Sequence, residues 1–138
     1  QRLHRPLRRR HVAIADDGTV YVAESGKGRV VKLVGPATES VIDGLGEPQG
    51  IAIRHGKLVV LDTAGKQIVE SDLSGGNQHV LASALPVGAP AGVAPKRLGG
   101  VGDFCGPMIA MAGLAIGEDG TIYFAADAEG SVMALRAD

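Results

Sequence analysis

Three carboxylates stand at matching places in the sequence, each close behind a short apolar run. Glu24 and Asp62 end their runs directly, whereas Asp127 lies one place late because Ala126 fills the matching position. Convergent carboxylate and carbonyl oxygens are the ligands that hard divalent cations such as calcium prefer. In a turn after a strand, however, the commoner role of a carboxylate is structural, because it accepts backbone N–H bonds there.

Further charged candidates lie in a segment from 84 to 112 that is rich in Gly, Pro and Ala. It is longer than the ~12 to 15 residues beyond which loops tend to be functional or disordered. If this segment lies on the same face of the molecule as the three acidic turns, the two together form a polar surface suited to a small ligand. We predict these ligand-binding residues: Glu24, Asp62, Lys96, Arg97, Asp103 and Asp127. No spacing among the acids is diagnostic of a metal, so we predict no cofactor, with a divalent cation such as calcium as the alternative.

The sequence does not contain the combination of residues that other kinds of catalytic site require. The only cysteine, Cys105, cannot form an intrachain disulfide, and a lone cysteine is commonly a small buried hydrophobe. The glycine run 99–102 does not follow a buried strand or open a helix, as a phosphate-binding loop would. The histidines stand in a tail, a strand start, a tight turn and an outer strand: His4, His11, His55 and His79. The sequence leaves enzymatic activity undecided, favours a non-catalytic role and identifies no catalytic residue.

An internal repeat must position the candidate residues. Segments 12–33, 51–71 and 114–135 align with one another, the first and third without a gap. Each contains an apolar run, a turn, a second apolar run, a polar turn and the start of a third strand. Each copy therefore predicts three antiparallel strands.

The first turn of each copy carries a glycine: Gly18, Gly56 or Gly120. Glycine takes positive φ without steric cost, so these turns predict tight hairpins. Segments 39–43 and 78–82 supply a fourth strand to the first two copies, whereas the third copy ends before one forms.

Four short strands in about 40 residues are typical of a β-propeller blade. We therefore predict an all-β chain, a partial β-propeller of three antiparallel blades that dimerisation or sequence outside this chain completes to six. The predicted organisation comprises a basic lead-in at 1–10, blade one at 11–45, blade two at 46–83, a long loop at 84–112 and blade three at 113–138.

The repeat resembles that of NHL-repeat proteins and of six-bladed relatives in the SMP-30/gluconolactonase and strictosidine-synthase-like groups. The runs that carry the resemblance are GEPQGIAI, DGTVYVAES, HGKLVVLDT and DGTIYFAAD. It implies a ring with a ligand or metal at its mouth, held by acidic and amide side chains, yet the only asparagine, Asn77, lies on another stretch. The leading function is a non-catalytic NHL-type module that presents a loop-rich face to a protein, peptide or small-molecule ligand. The alternative is a fragment of a metal-dependent lactonase of the SMP-30 type.

Charge and composition restrict the classes of molecule that the chain is expected to bind. Five of the fourteen basic residues lie in the first ten positions, and the rest of the chain is acidic. Aromatic residues make up only 3%, which leaves few platforms for stacking bases, so nucleic acid is not expected as a partner. No apolar run approaches the ~20 residues of a membrane span, and the sequence does not indicate a compartment. We expect self-association as a homodimer, or association with the rest of a longer parent chain.

Overall fold

A computed structural model describes residues 10–90, 92–93 and 112–136. These residues form three antiparallel sheets, and their one helical element is the short 3-10 turn Ser25–Lys27. The predicted all-β class is confirmed. Within the described ranges, no helix has the length and apolarity to cross a bilayer.

Sheet one is a four-stranded meander in which each strand pairs with the next along the chain. Its strands are β1 Arg10–Ile14, β2 Val20–Glu24, β3 Arg29–Val34 and β4 Ala37–Ile42. The predicted hairpin between β1 and β2 has Gly18 at φ 84, and the Thr19 N–H donates to Asp17 Oδ1 at 2.9 Å. That hydrogen bond lowers the pKa of the exposed Asp17 carboxyl below its ordinary value.

Sheet two repeats the same order. Its strands are β5 Pro48–Arg54, β6 Lys57–Asp62, β7 Gln67–Asp72 and β8 His79–Ala82. Strand β5 begins three residues before the predicted apolar run at 51, since Pro48 pairs with Asp62 across a bulge near Gly50.

Sheet three contains three strands among the described residues. They are β9 Leu114–Ile116, β10 Ile122–Ala126 and β11 Ser131–Leu135. As in sheet one, an aspartate closes the first hairpin, because Asp119 Oδ1 accepts the Thr121 N–H at 3.0 Å.

The sheets are stacked, with sheet two in the middle. Successive strand residues point to opposite faces, so β6 divides its apolar side chains between two cores. Leu58 and Val60 pack towards sheet one, whereas Val59 and Leu61 pack towards sheet three. All four are fully buried, and burying such a side chain contributes about 1.5 to 3 kcal/mol. Two cores, one on each side of sheet two, therefore hold the molecule together.

Candidate functional site

The turns between second and third strands lie at residues 25–28, 63–66 and 127–130, and we call the side of the molecule that carries them the turn face. A linker at 43–47, which joins sheet one to sheet two, crosses this face. The Leu45 N–H donates to Gly28 O at 2.9 Å, and the Thr63 N–H donates to Glu47 O at 3.0 Å. The linker is thus bonded to the turn behind it and to the turn ahead of it.

Asp62 is the centre of this arrangement. Its side chain is buried, and each carboxylate oxygen accepts two N–H groups. Oδ1 accepts from the backbone of Glu47 at 2.8 Å and of Gly65 at 3.1 Å. Oδ2 accepts from the backbone of Gly46 at 3.0 Å and from Gln67 Nε2 at 3.1 Å. Burial by itself would raise the pKa of Asp62, but these hydrogen bonds outweigh it and lower the pKa below 3.8.

Two glycines let the backbone approach this carboxylate. A Cβ on Gly65 would lie 2.5 Å from Asp62 Oδ2, and a Cβ on Gly46 would lie 2.7 Å from the Cβ of Ala64. A side chain on Gly65 would displace the carboxylate of Asp62, and one on Gly46 would force the linker away from the turn. The small residues around Asp62 are therefore part of the same hydrogen-bonded unit.

A second linker, at 83–89, repeats the arrangement between sheets two and three. The Leu85 N–H donates to Lys66 O at 3.0 Å, as Leu45 does to Gly28. Lys66 Nζ also donates to Val87 O at 2.5 Å and to Ala89 O at 2.9 Å. Since Val87 is fully buried, the first part of the predicted long loop is built into the fold.

Asp127 is hydrogen-bonded to this second linker. Its Oδ1 accepts the Gly88 N–H at 2.8 Å, and the Ala128 N–H donates to Pro86 O at 3.2 Å. The one-place shift to Asp127 that the sequence shows in the third copy thus still leaves a carboxylate in contact with the incoming linker.

Glu24 occupies the corresponding place in sheet one. It is buried, and its Oε2 accepts a hydrogen bond from Arg29 Nε at 2.5 Å within an ion pair. Beside it, Ser25 Oγ donates to Pro48 O at 2.6 Å, which ties this turn to the start of sheet two. Glu24, Asp62 and Asp127 therefore all engage protein donors.

The structure places Glu24, Asp62 and Asp127 on successive turns of one face. The other predicted site residues lie outside the described ranges: Lys96, Arg97 and Asp103. Among the described residues, no three His, Cys, Asp or Glu side chains are grouped as a metal site would require. The Asp62 oxygens accept N–H hydrogens, so Asp62 does not fit a cation site. Ligand binding by the six predicted residues stays a prediction.

Gln49, which the sequence did not single out, belongs to the same network. It is buried, its Nε2 donates to Glu47 Oε1 at 3.1 Å, and its Oε1 accepts the Ala112 N–H at 3.1 Å. It joins the first linker to the residue that leads into sheet three. The polar pair inside GEPQG was the available signal, because a buried amide needs partners for both its donor and its acceptor.

A separate ionic group lies at the other end of sheet two. Arg54 Nη2 contacts Glu70 Oε2 at 2.8 Å, and Arg54 Nη1 donates to Gly120 O at 3.4 Å. His79 Nε2 lies 3.5 Å from Glu70 Oε1. The arginine connects sheet two to the hairpin of sheet three, so this group holds two sheets in register.

Comparison with solved structures identifies the fold. A β-propeller structure described as that of streptogramin B lyase matches 96% of this chain with a TM-score of 0.55 and 13% identity. The chain spans 42% of the length of that protein. No protein-family model matches the chain, and no curated protein does. The chain is a partial β-propeller, and its three sheets are blades.

Proposed function

We propose that this partial propeller is a non-catalytic binding module of the NHL type, with the turn face as its binding surface. The observation that supports the proposal is the state of Asp62, whose four lone-pair positions are all taken by N–H donors of the protein. A carboxylate in that state positions backbone and is not available for acid–base chemistry or for coordination.

The exposed part of the turn face lies directly above these bonds. Gly26 and Lys27 are exposed in the first turn, Ala64 and Gly65 in the second, and Glu129 in the third. Loops held by a rigid scaffold are common binding surfaces. Small residues at the turn tips leave room for a ligand above the turns, and Lys27 and Glu129 add one charge of each sign.

Amide chemical shifts of the isotope-labelled chain test the location of the surface. The probe is a library of small carboxylates, amides and sugars, screened with and without the variant Lys27→Glu. We expect the shifts to concentrate at Gly26, Lys27 and Gly65 and to weaken in the variant. Shifts centred on the hairpins at Gly18 and Gly56, or no shifts at all, would contradict the proposal.

The alternative, a fragment of an SMP-30-like lactonase, requires a bound cation and turnover. Elemental analysis of protein purified without chelator, followed by a lactone-hydrolysis assay with added calcium, separates the two functions. We expect less than about 0.1 ion per chain and no hydrolysis above the buffer rate. One tightly bound ion per chain with lactone turnover would establish the alternative.

A further inference from the structure

The sequence contains the dipeptide Asp-Gly three times, at 17–18, 43–44 and 119–120. In this dipeptide the backbone readily attacks the neighbouring side chain, because glycine has no Cβ to hinder the approach of its nitrogen to the carboxyl carbon. The product is a five-membered succinimide ring, which water opens to aspartate or to isoaspartate. Whether a given pair reacts in a folded chain depends on how firmly the fold holds the glycine N–H and the carboxyl group.

The pair at 17–18 is held at both groups by the first hairpin of sheet one. The Gly18 N–H donates to Ala15 O at 2.9 Å, and Asp17 Oδ1 accepts the Thr19 N–H at 2.9 Å. The bond from Thr19 also lowers the pKa of the Asp17 carboxyl, which slows the reaction further because the ring closes on the neutral carboxyl group. Both hydrogen bonds must break before the nitrogen of Gly18 can attack.

The pair at 119–120 is protected in the same way in sheet three. The Gly120 N–H donates to Gly117 O at 2.9 Å, and Asp119 Oδ1 accepts the Thr121 N–H at 3.0 Å. Gly120 is also buried, with the ring of His55 so close that a Cβ built on the glycine would lie 2.6 Å from Nε2. Little room is left there for the backbone rotation that ring closure requires.

The pair at 43–44 lies at the start of the first linker and lacks this protection. Asp43 and Gly44 are both exposed, and β4 ends just before them at Ile42. Among the described residues, the Gly44 N–H has no hydrogen-bond acceptor. In both hairpins the N–H two residues after the aspartate binds the carboxylate. Here that N–H belongs to Leu45, and it donates to Gly28 O instead.

The hydrogen bond that the Asp43 side chain accepts is a weak restraint. Ser40 Oγ donates to Asp43 Oδ2 at 2.7 Å, but this bond lies at the surface, where water competes for both partners. Gly44 has φ 76, and a Cβ built on it would meet no atom of the described residues within 4 Å. The peptide group between Asp43 and Gly44 therefore has open space in which to turn towards the side chain.

We propose that the Asp-Gly pair at 43–44 is a site of spontaneous backbone modification. The Gly44 nitrogen attacks Cγ of the neutral Asp43 carboxyl group, a C–N bond forms, and the amide hydrogen leaves with the carboxyl OH as water. A water molecule then opens the ring at one of its two carbonyl carbons. Opening at Cγ restores aspartate, whereas opening at the main-chain carbonyl carbon of Asp43 gives isoaspartate, whose chain continues through Cβ and Cγ. Water is the only co-reactant, and the inference does not depend on the proposed binding function.

Isoaspartate changes the length of the first linker. It adds one carbon atom to the main chain, which is about 1.5 Å of bond length. Ile42 on one side and Leu45 on the other are 1% and 8% exposed, so the added atom lies between two buried residues. It therefore displaces the Leu45 N–H from Gly28 O and loosens the linker from the first turn. We expect the Leu45 amide hydrogen to exchange about tenfold faster in the modified chain.

Peptide mapping of the aged chain tests the site. The chain is incubated folded, and in parallel unfolded in urea, in mildly acidic buffer. Electron-transfer fragmentation of its peptides, which distinguishes isoaspartate from aspartate, then gives the rate at each Asp-Gly pair. We expect folding to slow the reaction at least about tenfold at 17–18 and 119–120, where two hydrogen bonds must break first, and to leave it nearly unchanged at 43–44. A comparable slowing at all three pairs, or a faster reaction at either hairpin, would overturn the proposal.

Asparagine variants give a second readout, because ring closure then releases ammonia and changes the mass of the chain. Asp43→Asn is expected to gain the mass difference between amide and acid in a time in which the matched control Asp17→Asn gains little. The control keeps its protection, since an amide oxygen can still accept the Thr19 N–H. Equal rates of ammonia loss in the two folded variants would overturn the proposal.

Hydrogen exchange tests the effect on the linker. Aged and fresh samples of Asp43→Asn are compared by mass spectrometry at the peptide that contains Leu45. Faster exchange in the aged sample is the expected result. Unchanged exchange would overturn the loosening of the linker, while the isoaspartate content still reports on the site itself.

Discussion

The backbone of Leu45 donates to the carbonyl oxygen of Gly28 at 2.9 Å, which bonds the first linker to the turn that precedes it. Gly28 has φ 61, and a Cβ there would overlap the Leu45 carbonyl oxygen. Lys66 is the counterpart of Gly28 in sheet two and shares its left-handed backbone, with φ 50. The same bond thus recurs with a non-glycine residue, Lys66, at the strained position.

Gly28→Ala is expected to lower the free energy of unfolding by about 3 kcal/mol or more, because it adds overlap with the linker to an unfavourable φ. Gly35→Ala is the matched control, since Gly35 has φ 57 and an added Cβ would meet no atom of the described residues within 4 Å. The control is expected to cost about 1 kcal/mol. Urea unfolding of both variants measures the difference, and equal losses would refute the role of the linker contact.

Asp62→Asn is expected to lower the free energy of unfolding by about 2 to 3 kcal/mol. The amide keeps one acceptor oxygen, but its NH₂ group replaces the other acceptor. The N–H donors that face this NH₂ group are then buried without an acceptor. Asp127→Asn is the comparison, because the structure gives the Asp127 side chain one backbone donor, Gly88. Its expected cost is about 1 kcal/mol. Thermal or urea unfolding of both variants tests the order, and a larger loss for Asp127→Asn would contradict it.

The lowered pKa of Asp62 predicts acid sensitivity with a definite sign. The carboxylate stabilises the folded state fully above its ordinary pKa of 3.8, and this contribution is lost as the pH falls through the lower pKa of the folded protein. The gap in unfolding free energy between wild type and Asp62→Asn should therefore be widest near about pH 6 and shrink towards about pH 2. Urea titrations across that range measure it. A gap that does not change with pH would exclude this explanation.

Lys66→Met is expected to loosen the second linker, because the variant loses two charge-assisted hydrogen bonds to the carbonyl groups of Val87 and Ala89. We expect hydrogen exchange at the Val87 amide to become about tenfold faster, with a cost of about 1 to 2 kcal/mol for this partly exposed side chain. Lys27→Met, in the equivalent turn of sheet one, is the control and should leave exchange in the second linker unaltered.

Much of the architecture could be predicted from the sequence because it depends on local rules. The hairpin glycines and the alternation within each copy predict the strands, and the sequence also predicted three strands in the last copy. The continuous run Leu58 to Leu61 has no polar side because both faces of sheet two are buried.

The site was harder to predict because its bonds join residues far apart in the chain. The position of Asp62 after a strand indicated a structural carboxylate, but the donors at Gly46 and Glu47 come from a linker 16 and 15 residues away. Lys66 was not recognised either, since nothing in the second turn reveals that Val87 lies beneath its amine.

The burial of sheet two on both faces has a consequence for synthesis of the chain. Strand β8 ends at Ala82, whereas the sheet that covers Val59 and Ile68 ends at Leu135. At about 5 to 20 residues per second, the ribosome takes several seconds to make that intervening stretch. During this interval the nascent chain carries a finished sheet with one bare aliphatic side, which is the surface that chaperones and neighbouring nascent chains recognise.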